Sequence, residues 1–322
     1  MLSVDPKQAP IKDIHGYLLG GAAPRPIALV STVSSSGARN LAPFSFFNAF
    51  SANPPLVVFS PSRRLRDSTV KDTYTNLLET KECVIQAVTY DMSQQVNLAS
   101  AEYDSEVDEF VKSGLTPIES EVVKPPRVKE SPYQMECKLE RMISLGTGGA
   151  AGNLALCEVL RFHIDENMFD KGVMQPDRLD LVARMSGAFY CRASGAAVFR
   201  IPRPGKSPMG FDGLPECIKS SPTLTGNDLA QLAGEESVPN LADACAAVEA
   251  VPQPSGASEE SFYRFLDNLD YKQALGTARA LDGQNHSDIT RLYELAAHCA
   301  LESAGDTEFA WNVALYARRA SL

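Results

Sequence analysis

The pattern of apolar and polar residues divides the chain into a strand-rich part and a helical part. From about residue 20 to residue 201, apolar and β-branched runs alternate with turn residues and predict strands. The first run is Pro26–Val33 (PIALVSTV), and Ser34–Arg39, which contains Gly37, follows as a turn. Asn40–Phe50 and Leu56–Ser60 continue the pattern, which we interpret as a meander of consecutive antiparallel strands.

The clearest strand signal lies near the middle of the chain. Over Leu154–Asp165 apolar and polar residues alternate with a period of two, which is typical of a strand with one face inward. Met135–Leu145 alternates similarly. Helices are predicted between the strands over Lys71–Glu82 and over Met92–Ala101, with Asp91 as the N-cap of the second. The pattern therefore predicts a mainly β fold with helical insertions.

After Arg200 the pattern changes to one that predicts helices. Residues 203–258 are rich in proline and glycine and predict an ordered arm, within which Thr225–Asp228 is a capping box that opens a short helix. In residues 259–322 apolar side chains recur at helical spacing and predict two or three amphipathic helices. We divide the chain into a strand-rich domain, residues 1–202, the arm, residues 203–258, and a helical C-terminal extension, residues 259–322.

The composition is that of an ordinary globular protein with an acidic balance. Of the 322 residues, 44% are hydrophobic and 22% are charged, and the formal net charge is -10. This balance argues against binding to nucleic acid or to an anionic membrane surface, whereas a small anion needs only a few local donors. No apolar run approaches the roughly 20 residues of a membrane-spanning helix, and the first residues predict no secretory signal.

The cysteines and histidines predict neither disulfides nor a metal site. The seven cysteines are scattered and contain no C-x-x-C pair, which predicts buried, reduced thiols and a cytoplasmic location. The four histidines stand at no metal-ligand spacing with cysteines or carboxylates. We therefore expect no metal.

The sequence does not support the functions that familiar catalytic and nucleotide-binding motifs would indicate. Gly146–Gly152 matches G-x-G-x-x-A, but a dinucleotide-binding turn needs a helix after it, and here an alternating strand pattern follows. We predict a hairpin loop instead. The sequence has no G-x-x-x-x-G-K-[ST] loop, no G-x-S-x-G elbow and no recognisable set of nucleophile, base and orienting group. No catalytic side chain is predicted.

Two segments have the residues of a binding site. Asn40–Asn48 (NLAPFSFFN) mixes aromatic rings with short hydrogen-bonding side chains, which suits a planar ligand with a polar edge but also an ordinary strand with core phenylalanines. Arg63, Arg64, Arg66 and Lys71–Thr73 form a dense group of cations and hydroxyls. Such a group suits a phosphate, although a solvated loop with salt bridges explains it equally well.

Taken in succession, several motifs resemble those of the flavin reductase-like, FMN-binding split-barrel family, which includes flavoredoxin-like oxidoreductases. They cover roughly residues 10–202 and are, in order, Ala23–Thr32, Asn40–Pro55, Lys71–Asn76, Gly114–Leu139, Cys157–Asp165 and Leu181–Arg192. The resemblance implies a six-stranded Greek-key split β-barrel with helical insertions. It also implies a homodimer that binds FMN and uses NADH or NADPH as co-substrate.

The resemblance also implies positions for the cofactor. It places Ser45, Phe46, Phe47 and Asn48 along the flavin ring, and Ser60, Lys71, Asp72 and Thr73 near the ribityl-phosphate tail. Arg25 and Arg184 occupy motif positions that suit the phosphate or the nicotinamide side. Some reductases with this barrel carry a histidine in a G-D-H motif before the long strand. Because Asn153 stands at that position, the role is either taken by Asn153 or absent.

The functional hypothesis is therefore an FMN-binding oxidoreductase, a flavin reductase that transfers hydride from NADH or NADPH to flavin N5. One alternative is an FMN-binding electron-transfer protein without a nicotinamide site, which the missing histidine favours. Another is a scaffold whose helical extension, residues 259–322, binds a partner protein.

Overall fold

The computed structural model describes residues 1–320, and the chain divides into two compact units. The first unit is Met1–Arg200, and the second begins at Ile201. The first unit contains all the strands of the described residues, whereas the second is helical. This arrangement confirms the predicted mainly β part and the helical part that follows it.

The strands of the first unit are between two and twelve residues long. They are β1 (Arg25–Pro26), β2 (Ala28–Val33), β3 (Arg39–Phe44), β4 (Phe47–Ala52), β5 (Pro55–Phe59), β6 (Glu82–Ala87), β7 (Pro117–Ile118), β8 (Arg127–Val128), β9 (Tyr133–Ser144), β10 (Asn153–Ile164), β11 (Phe169–Asp170), β12 (Val173–Met174), β13 (Leu181–Arg184) and β14 (Tyr190–Ala193). Its helices are α1 (Ile11–Gly21), α2 (Asp72–Thr80), α3 (Ser93–Ala99) and α4 (Glu109–Ser113).

Seven strands form one antiparallel sheet whose order differs from the predicted meander. The order is β3-β2-β6-β9-β10-β5-β4, so β3 and β4 follow each other in the chain but lie at opposite edges. The segment Asn40–Phe50 contains parts of two strands, β3 and β4, separated by Ser45 and Phe46. The expected number of six strands is also exceeded by one.

The short connection between β3 and β4 requires the sheet to curl. Seven strands spaced about 4.8 Å apart would put the outer two roughly 29 Å apart in a flat sheet. Three peptide steps, from Phe44 to Phe47, span at most about 11 Å. The two edges must therefore approach each other, which makes the sheet a barrel with its seam at Ser45 and Phe46.

The longest hairpin of the barrel supports its core. β9 pairs with β10 from Ser144 and Asn153 to Tyr133 and Ile164, as the alternation of both segments predicts. The interior of the barrel is filled by apolar side chains that include Phe44, Val57, Phe59, Ile85, Met135, Leu139 and Val159. Gly146–Gly152 lies in the β9–β10 connection, which confirms that this glycine-rich segment is a hairpin loop.

The helices of the first unit begin and end close to their predicted bounds, with one correction. α2 lies within the predicted Lys71–Glu82 and buries Leu77. The helix predicted over Met92–Ala101 is shorter, and its N-cap position is Met92, without a side-chain cap among the described residues. Asp91 therefore does not cap α3, because the helix begins at Ser93, too far from the Asp91 side chain.

The second unit has more helices than its sequence pattern predicts. They are α5 (Glu216–Lys219), α6 (Gly226–Ala233), α7 (Leu241–Glu249), α8 (Glu259–Asp267), α9 (Tyr271–Asp282), α10 (Ile289–Ala304) and α11 (Thr307–Ala317). Residues 259–320 thus contain four helices where two or three were predicted. The capping box of α6 is confirmed, since the Thr225 hydroxyl accepts from the Asp228 amide and Asp228 accepts from the Thr225 amide.

One apolar cluster holds the helices of the second unit together. Leu232 of α6, Phe262 of α8 and Trp311 of α11 belong to the same buried cluster, and the Trp311 indole donates to the Leu232 carbonyl at 3.1 Å. The cluster joins residues on both sides of position 258. The structure therefore has no packing boundary between the predicted arm, residues 203–258, and the helices that follow it.

The cysteines are free thiols in several environments. Cys83, Cys137, Cys157 and Cys299 are buried, but Cys191, Cys217 and Cys245 are half-buried, which corrects the expectation that all seven lie in the interior. Among residues 1–320, no helix combines the length and the apolar character that crossing a membrane requires.

The glycine-rich β9–β10 loop packs closely on the segment that contains Leu65. A Cβ atom at Gly149 would lie 2.5 Å from the Leu65 carbonyl oxygen, whereas one at Gly148 would meet nothing within 4 Å. Gly149→Ala must therefore displace backbone, and we expect it to destabilise the first unit by about 1–3 kcal/mol. Gly148→Ala is the matched control and should change stability by less than about 0.5 kcal/mol.

Urea unfolding followed by far-UV circular dichroism measures this difference. The single tryptophan, Trp311, lies in the second unit, so its fluorescence reports the unfolding of that unit separately. Equal unfolding midpoints for the two alanine variants in the circular-dichroism signal would contradict the close packing of Gly149.

Candidate functional site

A pocket of about 130 Å³ lies where β3 begins, α2 begins and α3 ends. Its walls combine cations, carboxylates, amides and hydroxyls, contributed by Asn40, Ala42, Pro43, Arg64, Lys71, Asp72, Thr73, Ala99, Ser100, Ala101, Glu102, Tyr103 and Glu109. We call it the α2 pocket. The structure thus brings Lys71, Asp72 and Thr73, all expected near the phosphate tail, into one concave surface.

Buried hydrogen bonds hold the start of α2 against the sheet. The Asn40 side-chain amide donates to the Thr73 hydroxyl at 3.0 Å and to the Thr32 hydroxyl at 3.1 Å. The Asn76 side chain donates to the same Thr32 hydroxyl at 3.0 Å. Because these four side chains are buried, their geometry is fixed by packing as well as by hydrogen bonds.

The two cations of the α2 pocket, Lys71 and Arg64, are close together and share its walls with carboxylates. The Lys71 ammonium lies 5.3 Å from the centroid of the Phe44 ring. Burial, and then the nearby Arg64 guanidinium, lower the pKa of Lys71, while Glu102 opposes the shift. Arg64 is 3.9 Å from Asp72 and 3.8 Å from Glu102, both weak ion-pair distances. An anion between the two cations would stabilise the charged form of Lys71.

The first turn of α2 adds backbone donors to these cations. α2 is nine residues long, and within residues 1–320 no side chain caps it at Lys71. The free amides of a helix N-terminus and the helix dipole both favour an anion. The α2 pocket therefore has the cations, hydroxyl and amides that a phosphate group requires.

A buried carboxyl group forms the wall of this pocket opposite the cations. Glu109 is 8% exposed, and its Oε2 accepts from the Leu41 amide at 2.9 Å. Its burial raises the pKa above the usual range of a glutamate, although the Leu41 amide opposes the rise. Glu109 was not predicted as a site residue. Asn40 begins the NLAPFSFFN segment and Arg64 belongs to the basic group, so both of these pocket residues lie in segments that the sequence indicated.

Arg25 joins three parts of the first unit beside the barrel seam. It is 6% exposed, and its Nη1 donates to the carbonyls of Leu19 at 2.6 Å and Ala22 at 2.9 Å. Its Nη2 donates to the Met185 carbonyl at 2.8 Å, and its Nε donates to the Ser45 hydroxyl at 3.4 Å. Most of its donors are therefore occupied by the protein, which makes Arg25 a residue that positions the seam.

The ring segment Ser45–Asn48 lies at this seam. The Arg25 guanidinium carbon is 6.0 Å from the centroid of the Phe46 ring. Phe47 begins β4 and pairs with Phe59 of the neighbouring strand β5. The Asn48 side chain is exposed, and its oxygen accepts from the Ala49 amide at 2.8 Å. The seam therefore presents aromatic rings and short polar side chains together, as the sequence predicted for this segment.

Ser60 and Asn153 contact each other rather than the α2 pocket. The Asn153 amide donates to the Ser60 hydroxyl at 3.2 Å, and the Asn153 side chain donates to the Pro61 carbonyl at 3.1 Å. Asn153 is fully buried. Its Oδ1 and the Nε of nearby Arg63 are buried without a hydrogen-bond partner in the described part of the chain. Such atoms are rare in native proteins and point to a missing partner near the Ser60–Arg64 loop.

A second cavity, of about 350 Å³, contains Arg184. β1 pairs with β13 so that Arg25 and Arg184 are directly opposite each other. Burial, followed by the charge of Arg184, lowers the pKa of Arg25. Arg184 thus belongs to the neighbourhood of the seam, whereas the α2 pocket extends along β3 from Asn40 to Pro43. In residues 1–320 no group of His, Cys, Asp and Glu side chains is arranged to hold a metal ion.

Comparison with known proteins identifies the family of the strand-rich part. The family model described as "Flavin reductase like domain" matches residues 20–182. Uncharacterized proteins of Bacillus subtilis (YwrF) and Aquifex aeolicus are 36% and 34% identical over 189 residues, or 58% of this chain and 91% and 94% of theirs.

Solved structures agree with the family match. Nitrilotriacetate monooxygenase component B from Bacillus cereus is 36% identical with a TM-score of 0.59, covering 62% of this chain and 98% of its own. The 2-nitrobenzoate 2-nitroreductase NbaA of Pseudomonas fluorescens is 25% identical with a TM-score of 0.55, covering 62% of this chain and 96% of its own. A split-barrel flavin reductase from Shewanella frigidimarina is 23% identical with a TM-score of 0.54, and the match covers 63% of this chain and 99% of its own. At this identity the likeness shows the fold alone.

These findings confirm the split-barrel fold and the resemblance seen in the sequence. The family model spans half of the chain, and it lies within the unit that contains the barrel. The chain therefore belongs to the flavin reductase-like family.

Proposed function

We propose that this chain is an FMN-binding oxidoreductase, a flavin reductase that uses NADH or NADPH. The observation that carries the proposal is the α2 pocket, with its two clustered cations and its free helix amides, in a barrel of the flavin reductase-like family. When bound, FMN would accept a hydride from the nicotinamide at N5 and pass electrons onward. The remaining work of the protein is to bind, orient and shield these partners.

The residues of the α2 pocket fit the phosphate of FMN. Lys71 and Arg64 would supply charge, while the Thr73 hydroxyl and the first amides of α2 would supply hydrogen bonds. Asn40 would orient the Thr73 hydroxyl through the bond that they already share. The neighbouring carboxylates, Asp72 and Glu102, would retain Arg64 near the phosphate.

The seam fits the ring of the flavin. Phe46 and Phe47 would contact apolar ring faces, and Ser45, Asn48 and main-chain groups would meet the polar edge. Arg25 would act through Ser45, because its own donors are mostly used by the protein. Ser60, which hydrogen-bonds its amide to the Phe46 carbonyl at 2.9 Å, would hold the seam in place from β5.

One observation favours a second candidate, an FMN-binding electron-transfer protein without a nicotinamide site. Asn153 stands where some reductases have a histidine, and its side chain is buried and bonded to Pro61. Its side chain therefore has no imidazole and is enclosed by the protein, with the amide nitrogen donating to Pro61 and only Oδ1 without a partner in the described residues. This geometry favours the absence of that role over its replacement by Asn153.

We further propose that the barrel forms a homodimer and that the second unit binds a partner protein. Exposed apolar side chains on the barrel support the first idea, among them Phe50 of the edge strand β4, which is 68% exposed. The second unit carries most of the net negative charge of the chain, which would favour a basic partner. Free thiols support a cytoplasmic location.

Anaerobic reduction separates the two candidates. We expect the purified chain to bind FMN with a yellow spectrum and to lose the flavin absorbance within seconds when NADH or NADPH is added. A yellow protein that both nucleotides leave oxidised, although dithionite bleaches it, would contradict the reductase and support the electron-transfer protein. A protein that binds no FMN would contradict both candidate functions.

Lys71→Gln tests the phosphate part of the α2 pocket. Loss of this cation should weaken FMN binding by about ten-fold or more, because a charge-assisted hydrogen bond is worth about 1.5–3 kcal/mol. Riboflavin, which lacks the phosphate, should bind the variant and the parent with equal affinity. Fluorescence quenching of each flavin gives both affinities.

Lys129→Gln is the matched control, since Lys129 is an exposed lysine outside the pocket. It should bind FMN as the parent does. If Lys71→Gln weakens FMN and riboflavin equally, Lys71 does not meet the phosphate.

A further inference from the structure

The second cavity lies between the β13–β14 hairpin and one side of α3. Its volume is about 350 Å³, within the usual size range of small-molecule sites. Two tyrosines and two arginines dominate its lining, which consists of Tyr90, Ser93, Gln94, Asn97, Val182, Arg184, Ala188, Tyr190, Cys191 and Arg192. We call it the hairpin cavity.

The two arginines of the hairpin cavity differ in how their charge is balanced. Arg192 donates from Nε and Nη2 to the two oxygens of Asp180, each at 2.6 Å, and stacks on Tyr90 at 3.9 Å. Arg184 has no carboxylate within ion-pair distance in the part of the chain that the structure describes. It donates to the Tyr190 hydroxyl and to the Gly187 carbonyl, and it stacks on the Tyr190 ring at 4.5 Å.

Arg184 is therefore the source of an uncompensated positive charge. Arg184 lies directly opposite Arg25 in the β1–β13 pair, and its charge, after burial, lowers the pKa of Arg25. Two adjacent arginines without a counter-charge favour an anion nearby. Part of the Arg184 guanidinium remains available, because it has five N–H donors and only two acceptors on the protein.

The other walls of the hairpin cavity specify more than a bare anion. Val182, Ala188 and the two tyrosine rings form an apolar, aromatic surface that a hydrated phosphate or sulfate would leave uncovered. On the side of α3, Ser93, Gln94 and Asn97 present a hydroxyl and two amides. These groups suit the polar substituents of a ring.

We propose that the hairpin cavity binds a small planar aromatic carboxylate. Its carboxylate would meet the free donors of Arg184, and its ring would pack on the tyrosines and Val182. The ligand would lie beside the seam, because Arg184 is opposite Arg25, which contacts Ser45 and Phe46. That this ligand would react with the flavin rests on the proposed function. The binding of the ligand to the hairpin cavity does not rest on it.

Calorimetric titration of the full chain with 2-hydroxybenzoate tests the proposal. Binding should be measurable both without FMN and with it, and Arg184→Gln should weaken it about ten-fold or more. The neutral analogue 2-hydroxybenzamide, which has the same ring but no charge, should bind at least ten-fold more weakly than 2-hydroxybenzoate to the parent chain. Inorganic phosphate should not displace 2-hydroxybenzoate at equal concentration.

Two further variants control the experiment. Arg141→Gln removes an exposed arginine of β9 outside the cavity and should leave the affinity unchanged. Asn97→Asp adds a carboxylate to the wall of the cavity with almost no change in shape. It should weaken the binding of 2-hydroxybenzoate several-fold but not that of 2-hydroxybenzamide.

Several outcomes would overturn the proposal. They are the absence of 2-hydroxybenzoate binding, equal affinity for the neutral analogue, displacement by phosphate, and unchanged affinity in Arg184→Gln. FMN affinity, measured on the same samples, reports on the proposed function separately. A chain that binds FMN but not 2-hydroxybenzoate refutes only the inference about the hairpin cavity, and the reverse result refutes only the flavin proposal.

Discussion

The two-residue connection between β3 and β4 is the constraint on which the barrel depends. Strands at opposite edges of a seven-stranded sheet are joined by Ser45 and Phe46 alone, so the sheet must close upon itself. The two edges approach each other without pairing, because no ladder joins β3 to β4 in the described residues, so both remain edge strands. Closure also brings the aromatic seam next to the segments that Arg25 ties together.

The same constraint organises the candidate site along β3. Asn40, near the start of this strand, belongs to the α2 pocket, whereas Ser45 follows its last residue, Phe44. Four residues of strand rise separate Asn40 from Phe44, or roughly 13 Å. The pocket extends along this length, since Pro43 also lines it and the Lys71 ammonium lies 5.3 Å from the centroid of the Phe44 ring, so the pocket and the seam are neighbours along one strand. A change that shifts the register of β3 would move both parts together.

Local patterns allowed the elements to be predicted, but not their arrangement. The alternation in β9 and β10 and the capping box of Thr225 and Asp228 depend on neighbouring residues, and the structure agrees with both. The sheet order depends on pairings between distant segments, which no local pattern encodes, so the meander was wrong. Helix α3 begins at Ser93, one residue later than predicted, and the buried Met92 occupies its N-cap position.

Some residues of the candidate site could not be predicted from local sequence patterns either. Lys71 and Thr73 are close in sequence, and a motif was sufficient to suggest them. Glu109 enters the α2 pocket from a different helix, and its role is visible only through its contact with Leu41. The position of Asn153 was recognised, but its burial against Pro61 follows from the packing of two loops. Sequence motifs thus identified residue types, and tertiary contacts decided which way their side chains point.

Net charge proved a poor guide to the local electrostatics of this chain. The protein carries a formal charge of -10, yet Arg25 and Arg184 lie directly opposite each other on β1 and β13, and Lys71 and Arg64 both line the α2 pocket. Holding a partly buried cation without a counter-charge costs free energy, since desolvation is not repaid by an ion pair. An anionic ligand at either place, beside β3 or beside the seam that follows it, would offset this cost.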